Sequence, residues 1–141
     1  MSEITRLRPD GLVRSPAFTH VAVVPPGATT IHVGGQNAVD ADGALVGGDD
    51  VAAQTRRVME NVRLALAATG ASVHDLISVT VLLLDTADLA AAYPAAAAGL
   101  EGAAPLVQVA RVSGLSVPGA LLEVSAVAAV TAVPARTPEA G

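Results

Sequence analysis

The 141-residue chain has no cysteine, no lysine and no tryptophan, and only one tyrosine and one phenylalanine. Each absence removes a class of chemistry. Without cysteine there is no thiol nucleophile, no disulfide framework and no thiolate metal site. All eight basic residues are arginine, which excludes a lysine Schiff base and a Walker-type phosphate lysine. A net charge of −5 and the lack of basic runs argue against nucleic acid or an anionic membrane as partner. No secretory signal pattern opens the chain, and no run of about 18 strongly apolar residues occurs. The apolar segment 120–133 carries Glu123 and Ser125 and is too short to span a bilayer. A cytoplasmic protein is the expectation.

What is present is aliphatic. Apolar residues make up 52% of the chain, mostly Ala, Val and Leu. A core built from small side chains commonly finishes its burial against another subunit, so self-association is expected. The length suits one domain, read as residues 15–133, with an irregular N-terminal segment 1–14 and a disordered tail 134–141.

Along the chain, Phe18 to Val24 reads as a strand, Pro25-Pro26-Gly27 as a reversal, and Thr29 to Val33 as the return strand of a hairpin. Gly34-Gly35-Gln36 follows, where glycine permits a positive φ, a bulge or close approach of a ligand. Asp40 to Gly43 is a turn and Ala44 to Val46 a short strand. Asp49 or Asp50 caps a helix from Val51 to about Thr69, with Val51, Val58, Val62 and Leu66 on its apolar face and Gly70 at its end. Ser72-x-x-Asp75 has capping-box spacing. Ile77 to Leu84 is apolar enough for a strand buried on both faces. Asp85 or Asp88 opens an Ala-rich helical region in which Pro94 either kinks the helix or starts a further segment. Pro105 to Ala128 reads as two strands joined by a Gly/Pro loop, the second with Leu122, Val124, Ala126, Ala128 and Val130 on one face. Hairpins alternating with strand–helix–strand crossovers give an α+β mixed sheet with two helices on one face. A doubly wound parallel fold fits less well.

That order of elements, and the residues within it, resemble the RidA/YjgF family of reactive intermediate deaminases over about Pro9 to Val130. The shared pieces are Ser15-Pro16-Ala17-Phe18, Val33-Gly34-Gly35-Gln36, Gln54-Thr55, Asn61-Val62, Ala68 to Ser72, Leu82 to Asp85, and Pro105…Gly114-Leu115…Leu122 to Ala128. The resemblance implies a chorismate-mutase-like fold, a homotrimer with a central barrel, and clefts between subunits. It also implies hydrolysis of reactive enamines and imines to 2-keto acids and ammonia, with no cofactor and no metal. The family's signature arginine, a bidentate partner for the substrate carboxylate, falls on Val107 here. The family's early aromatic is Ala17, with Phe18 one place later, and its second-helix asparagine aligns with Tyr93. Glu123 matches the glutamate held to position water.

These correspondences make Glu123 and Arg14 the candidate catalytic residues. Ala17, Phe18, Gly34, Gly35, Gln36, Tyr93, Val107 and Arg111 are the candidate substrate-binding residues. Each has a structural alternative. Arg14 is either a carboxylate anchor replacing the missing arginine or a solvated loop residue. Arg111 shares the strand parity of Val107 but lies roughly 13 Å further along, at about 3.3 Å per residue, so it is either a structural ion pair or a ligand contact. Glu123 either orients water or makes a structural bond across the trimer. Gly34-Gly35 either supplies backbone donors to an oxyanion or only forms a bulge. His20, His32 and His74 lack metal spacing; His20 and His32 face each other if the hairpin forms. Ser15 and Ser125 lack a supporting His/Asp pair.

Two functions follow. One is an enamine or imine hydrolase with a relocated anchor, acting on a small anionic or carbonyl-bearing metabolite. The alternative is a non-catalytic ligand-binding or regulatory homotrimer with a more apolar pocket. A catalyst for a bulkier substrate is a weaker third, because valine in place of arginine enlarges and dries the cleft.

Overall fold

The computed structural model describes residues 3–131. Six strands and two helices alternate as β1 (Thr5–Leu7), β2 (Val21–Val23), β3 (Thr29–Gln36), α1 (Val51–Ala67), β4 (Leu76–Leu84), α2 (Leu89–Leu100), β5 (Leu106–Val112) and β6 (Leu122–Val130). β3, β6, β4 and β5 form one sheet in that order, with β4 and β5 parallel and the other pairs antiparallel. The α+β mixed sheet with two helices is as expected, and both helices line one side of it.

Local sequence explains the helices. Asp50 caps α1 by accepting from the Ala52 and Ala53 amides at 3.0 and 3.2 Å, satisfying donors that the first turn leaves open. Asp88 does the same for α2 through Ala90. The Ser72–Asp75 capping box forms, closing a single 3-10 turn ahead of β4. Pro94 lies inside α2 rather than opening a new segment. It leaves the exposed Ala90 carbonyl without its usual donor, which water can replace.

Alternation sets the two faces of the sheet. Val58, Val62 and Leu66 of α1 share a buried cluster with Ile31 and Val33 of β3, Val79 and Leu83 of β4, and Leu122, Val124, Ala126 and Ala128 of β6. Those strand positions mark the helix side. Gln54 ties α1 to two loops and is fully buried. Its Nε2 donates to the carbonyls of Gly48 and Gly119 at 2.7 and 2.9 Å, and its Oε1 accepts from the Leu121 amide at 2.9 Å.

Three expectations are corrected. First, segment 1–14 is not wholly irregular: Thr5–Leu7 is a strand, paired antiparallel with Val21–Val23. Arg6 anchors this ribbon by donating to the Leu76 carbonyl at 2.9 Å. Second, the β2–β3 hairpin does not form, because β3 spends its pairing on β6, opposite Val130 to Val124. That register buries Ile31 and Val33. The expected turn at Pro25-Pro26-Gly27 does form, closed by the Ala28 amide on the Pro25 carbonyl at 3.4 Å, but it carries the chain from one sheet to the other. His20 and His32 therefore do not face each other. The His20 ring lies 2.7 Å from the Val13 carbonyl, and His32 stands opposite Val127. Third, Ala44 to Val46 shrinks to one isolated bridge, Leu45 with Val39. The proposed tail 134–141 lies outside the described residues. Among the described residues, no helix is long and apolar enough to cross a membrane.

Candidate functional site

Strand register decides which candidates share a face. Val107 stands beside Val79, and Val79 beside the buried Ala126, so Val107 points to the helix side. Glu123 stands beside Leu82, one residue out of phase with the buried Leu83 and Leu122, so it points to the opposite, open side. Val107 and Glu123 are on different faces of one sheet. An arginine at Val107 would not aim at Glu123.

On the helix side, α2 stands off the sheet and leaves a cavity of about 310 Å³. Four sequence candidates meet there: Ala17, Phe18, Tyr93 and Val107. The spacing of small residues explains the room. Ala92, Ala96 and Ala97 on α2 face Val79, Val81, Val107 and Val109 on the strands across the void, and aliphatic stubs on both sides cannot close it. Of the lining residues only Thr55 and Tyr93 have polar side chains, and none is charged. The Thr55 hydroxyl is already committed to the Val51 carbonyl at 2.7 Å. Met59, Leu89, Leu100 and Val109 also line the cavity and escaped the sequence reading. The parity of Val109 with Val107 was their one visible sign.

On the open side Gly35 meets Glu123, whereas beyond the register shift Gln36 stands beside the buried Val124 and so falls on the other face. The β3–β6 register shifts between Val33 and Gln36, so the glycine pair does form a bulge. Neither glycine has a left-handed φ. Gly35 is instead a matter of space: a Cβ there would stand 2.7 Å from the Glu123 carboxyl carbon. The Gln36 amide folds back to donate to the Gly34 carbonyl at 3.1 Å. Glu123 is half-buried, and none of the ion pairs among the described residues involves it. Next to it, His32, Ser78, Thr80 and Ser125 border a shallow polar depression of about 220 Å³. Across the same face Gln108, Thr80 and Ser125 fall in register on three adjacent strands.

The arginines sit elsewhere. Arg14 pairs with Asp10 at 3.2 Å, with both side chains mostly in solvent, an arrangement that contributes little stability. It borders a surface hollow with Arg8, Ser15 and Pro16, away from Glu123. Arg8, which sequence reading passed over, organises that loop by donating to the Ser15 and Phe18 carbonyls at 2.9 and 3.0 Å. Arg111 donates to the Asp85 and Ala87 carbonyls at 3.2 and 3.0 Å. It braces the turn that leads into α2. On the solvent side of α1, Arg63 grips Glu60 with two bonds and holds its carboxyl below the usual range.

With this geometry in place, the sequence pattern of the family described as endoribonuclease L-PSP matches residues 14–130. The chain belongs to that family. The L-PSP match and the fold also agree with the Rid/YjgF resemblance. The Rid-family protein YyfB of Yersinia pestis, described as of unknown function, is 30% identical and superposes with a TM-score of 0.81, covering 90% of this chain and 98% of that one. RidA from the Antarctic bacterium Psychrobacter is 23% identical with a TM-score of 0.65, over 84% of this chain and 98% of that one, a likeness of fold alone. A RutC family protein of Pyrococcus abyssi is 40% identical over 60 residues, which is 43% of this chain and 47% of that one. The chain thus spans about half the length of the curated relatives it matches. Within the L-PSP family, the present chain pairs a Glu123–Gly35 contact on the open face with an uncharged cavity beneath α2.

Proposed function

We propose that this chain binds a small carbonyl- or imine-bearing metabolite at a cleft between subunits of a homotrimer, and hydrolyses it with Glu123 as the acid–base group. The observation that carries this reading is the Glu123 carboxylate, half-buried over Gly35, outside any ion pair among the described residues, on the face the helices leave uncovered. In the step proposed, Glu123 takes a proton from water as the water oxygen bonds to the imine carbon. That proton passes to nitrogen, giving a carbinolamine; Glu123 then carries the carbinolamine hydroxyl proton to nitrogen as the carbon–nitrogen bond breaks, and ammonia and a carbonyl compound leave. Such proton transfer contributes about 10²–10⁴-fold to rate. Arg14, exposed and paired with Asp10, reaches the site in this reading only if a neighbouring subunit brings the 14–18 loop over the open face. The test is ammonia release from imines generated in situ by an amino-acid oxidase. Wild type is expected to accelerate release, Glu123→Gln to lose at least 100-fold of that acceleration, and Arg14→Ala to raise KM chiefly. Full activity in Glu123→Gln would overturn the assignment.

A second reading has its own support. Among the described residues no cationic side chain lines the cavity that holds Val107, so the position matched to the family's arginine offers a carboxylate no partner. A non-catalytic ligand-binding trimer predicts saturable binding without turnover in the same assay.

A further inference from the structure

We infer that Asn37, braced by Asn61, is a positioning residue that fixes the peptide carrying Glu123 and so aims its carboxylate over Gly35. Its effect on rate rests on the hydrolytic reading of Glu123; its geometry does not.

The need for such a residue arises where β3 leaves the sheet. Gln36 is the last β3 residue in register with β6, beside Val124. Leu84 donates to the Leu121 carbonyl on the β4 side, and bonding directions alternate along a strand, so Leu122 turns its amide and carbonyl toward β3. Ala38 would come next in that ladder, but its carbonyl instead accepts from the Val46 amide at 2.7 Å. A buried carbonyl left without a donor is costly. The Asn37 side chain fills the gap, its Nδ2 donating to the Leu122 carbonyl at 3.1 Å. Asn37 is itself buried, and its backbone is held in turn. Asn61 on α1 donates from one carboxamide to the carbonyls of Asn37 and Val39, at 3.0 and 2.9 Å.

The consequence for Glu123 follows from peptide geometry. The Leu122 carbonyl and the Glu123 amide belong to one planar unit. Asn37 holds its carbonyl edge, and β4 holds its amide edge, where Glu123 stands opposite Leu82. The Cα–Cβ bond of Glu123 is thereby given one direction, and its carboxyl lies in the space that Gly35 leaves open. The glycine bulge does not set that direction, because strand register is lost between Val33 and Gln36.

The test uses the full chain with Asn37→Leu, close in size but without a donor. Asn37→Ser is the second variant and carries the test if the first does not fold. In imine hydrolysis, Asn37→Leu should lower kcat by about tenfold or more and leave KM within about twofold, since a shift of about 1 Å in a reacting group has effects of this order. In the Glu123→Gln background the same change should lower the residual rate by less than about twofold, because the group it positions is gone. Equal losses in both backgrounds would overturn the inference and leave Asn37 a structural residue. A second readout needs no turnover: the carboxyl carbon resonances of protein isotope-labelled at glutamate. The Glu123 signal, assigned by its loss in Glu123→Gln, should move in the Asn37 variant while those of Glu60 and Glu101 stay in place. An unmoved Glu123 signal would overturn the inference. If wild type does not hydrolyse the imine, the hydrolytic reading fails, and the resonance alone decides whether Asn37 positions Glu123.

Discussion

A Cβ at Gly35 would stand 2.7 Å from Cδ and 3.1 Å from Cγ of Glu123. Because the clashing atoms belong to the far end of a flexible side chain, Gly35→Ala should cost under about 1 kcal/mol of stability, while turning the carboxylate off its present position. Denaturant unfolding together with the ammonia assay checks both halves: stability nearly kept, hydrolytic rate lowered at least tenfold. Val107 behaves differently at the same scale. It is 42% exposed at the rim of the helix-side cavity, so an arginine there can extend to solvent along its aliphatic stem. Val107→Arg is therefore expected to leave imine hydrolysis within about twofold of wild type, and a large gain would show that the position faces the reacting group after all. The residue scale is where the sequence was hardest to read. The family resemblance made Val107 and Glu123 candidates for one substrate site. Only the pairing of β4 with both β5 and β6 shows that they lie on opposite faces.

The helices and central strands were legible because their causes are local. Asp50, the apolar positions of α1 and Gly70 are a cap, a stripe and a stop written in order. The alternation in β6 and the nearly unbroken apolar run of β4 are equally local. The missing hairpin was not legible, because β3 has two possible partners in sequence and chooses the distant one, β6. Gln54 lay in a recognisable helix, yet its partners Gly48, Gly119 and Leu121 come from loops on both sides of the chain. Removing it leaves buried backbone groups unpaired, so Gln54→Ala should destabilise by about 2–3 kcal/mol. Gln54→Glu should be at least as damaging, since a carboxylate cannot donate to two carbonyls; thermal unfolding of both variants checks this. Glu101 closes α2 with a φ of +52°, a conformation that costs a non-glycine residue roughly 1 kcal/mol. Glu101→Gly should therefore raise stability slightly, and a fall would mean that its contact with His74, at 4.0 Å, matters more than backbone strain.

For the whole molecule the decisive feature is the sheet face without helices. Leu82 and Val127 share it with Ser78, Thr80, Gln108 and Ser125, a mixture of apolar and hydrogen-bonding groups suited to another sheet. The homotrimer proposed on family resemblance would cover this face and bring neighbouring loops to Glu123. A Ser125→Arg substitution sets a charge among these groups, and burying it unpaired is costly. Sedimentation equilibrium should accordingly find a trimer for wild type and smaller species for the variant. Hydrolysis at Glu123 remains the claim on which the function turns. The most direct measurement is the rate of ammonia release from in situ imines by wild type and Glu123→Gln, compared at equal concentration after both are shown to have the same assembly state. Acceleration by wild type and at least a 100-fold loss of it in Glu123→Gln is the expected result. Equal acceleration by both proteins, or none by wild type, would contradict a catalytic Glu123, and the second outcome would leave the protein a binder.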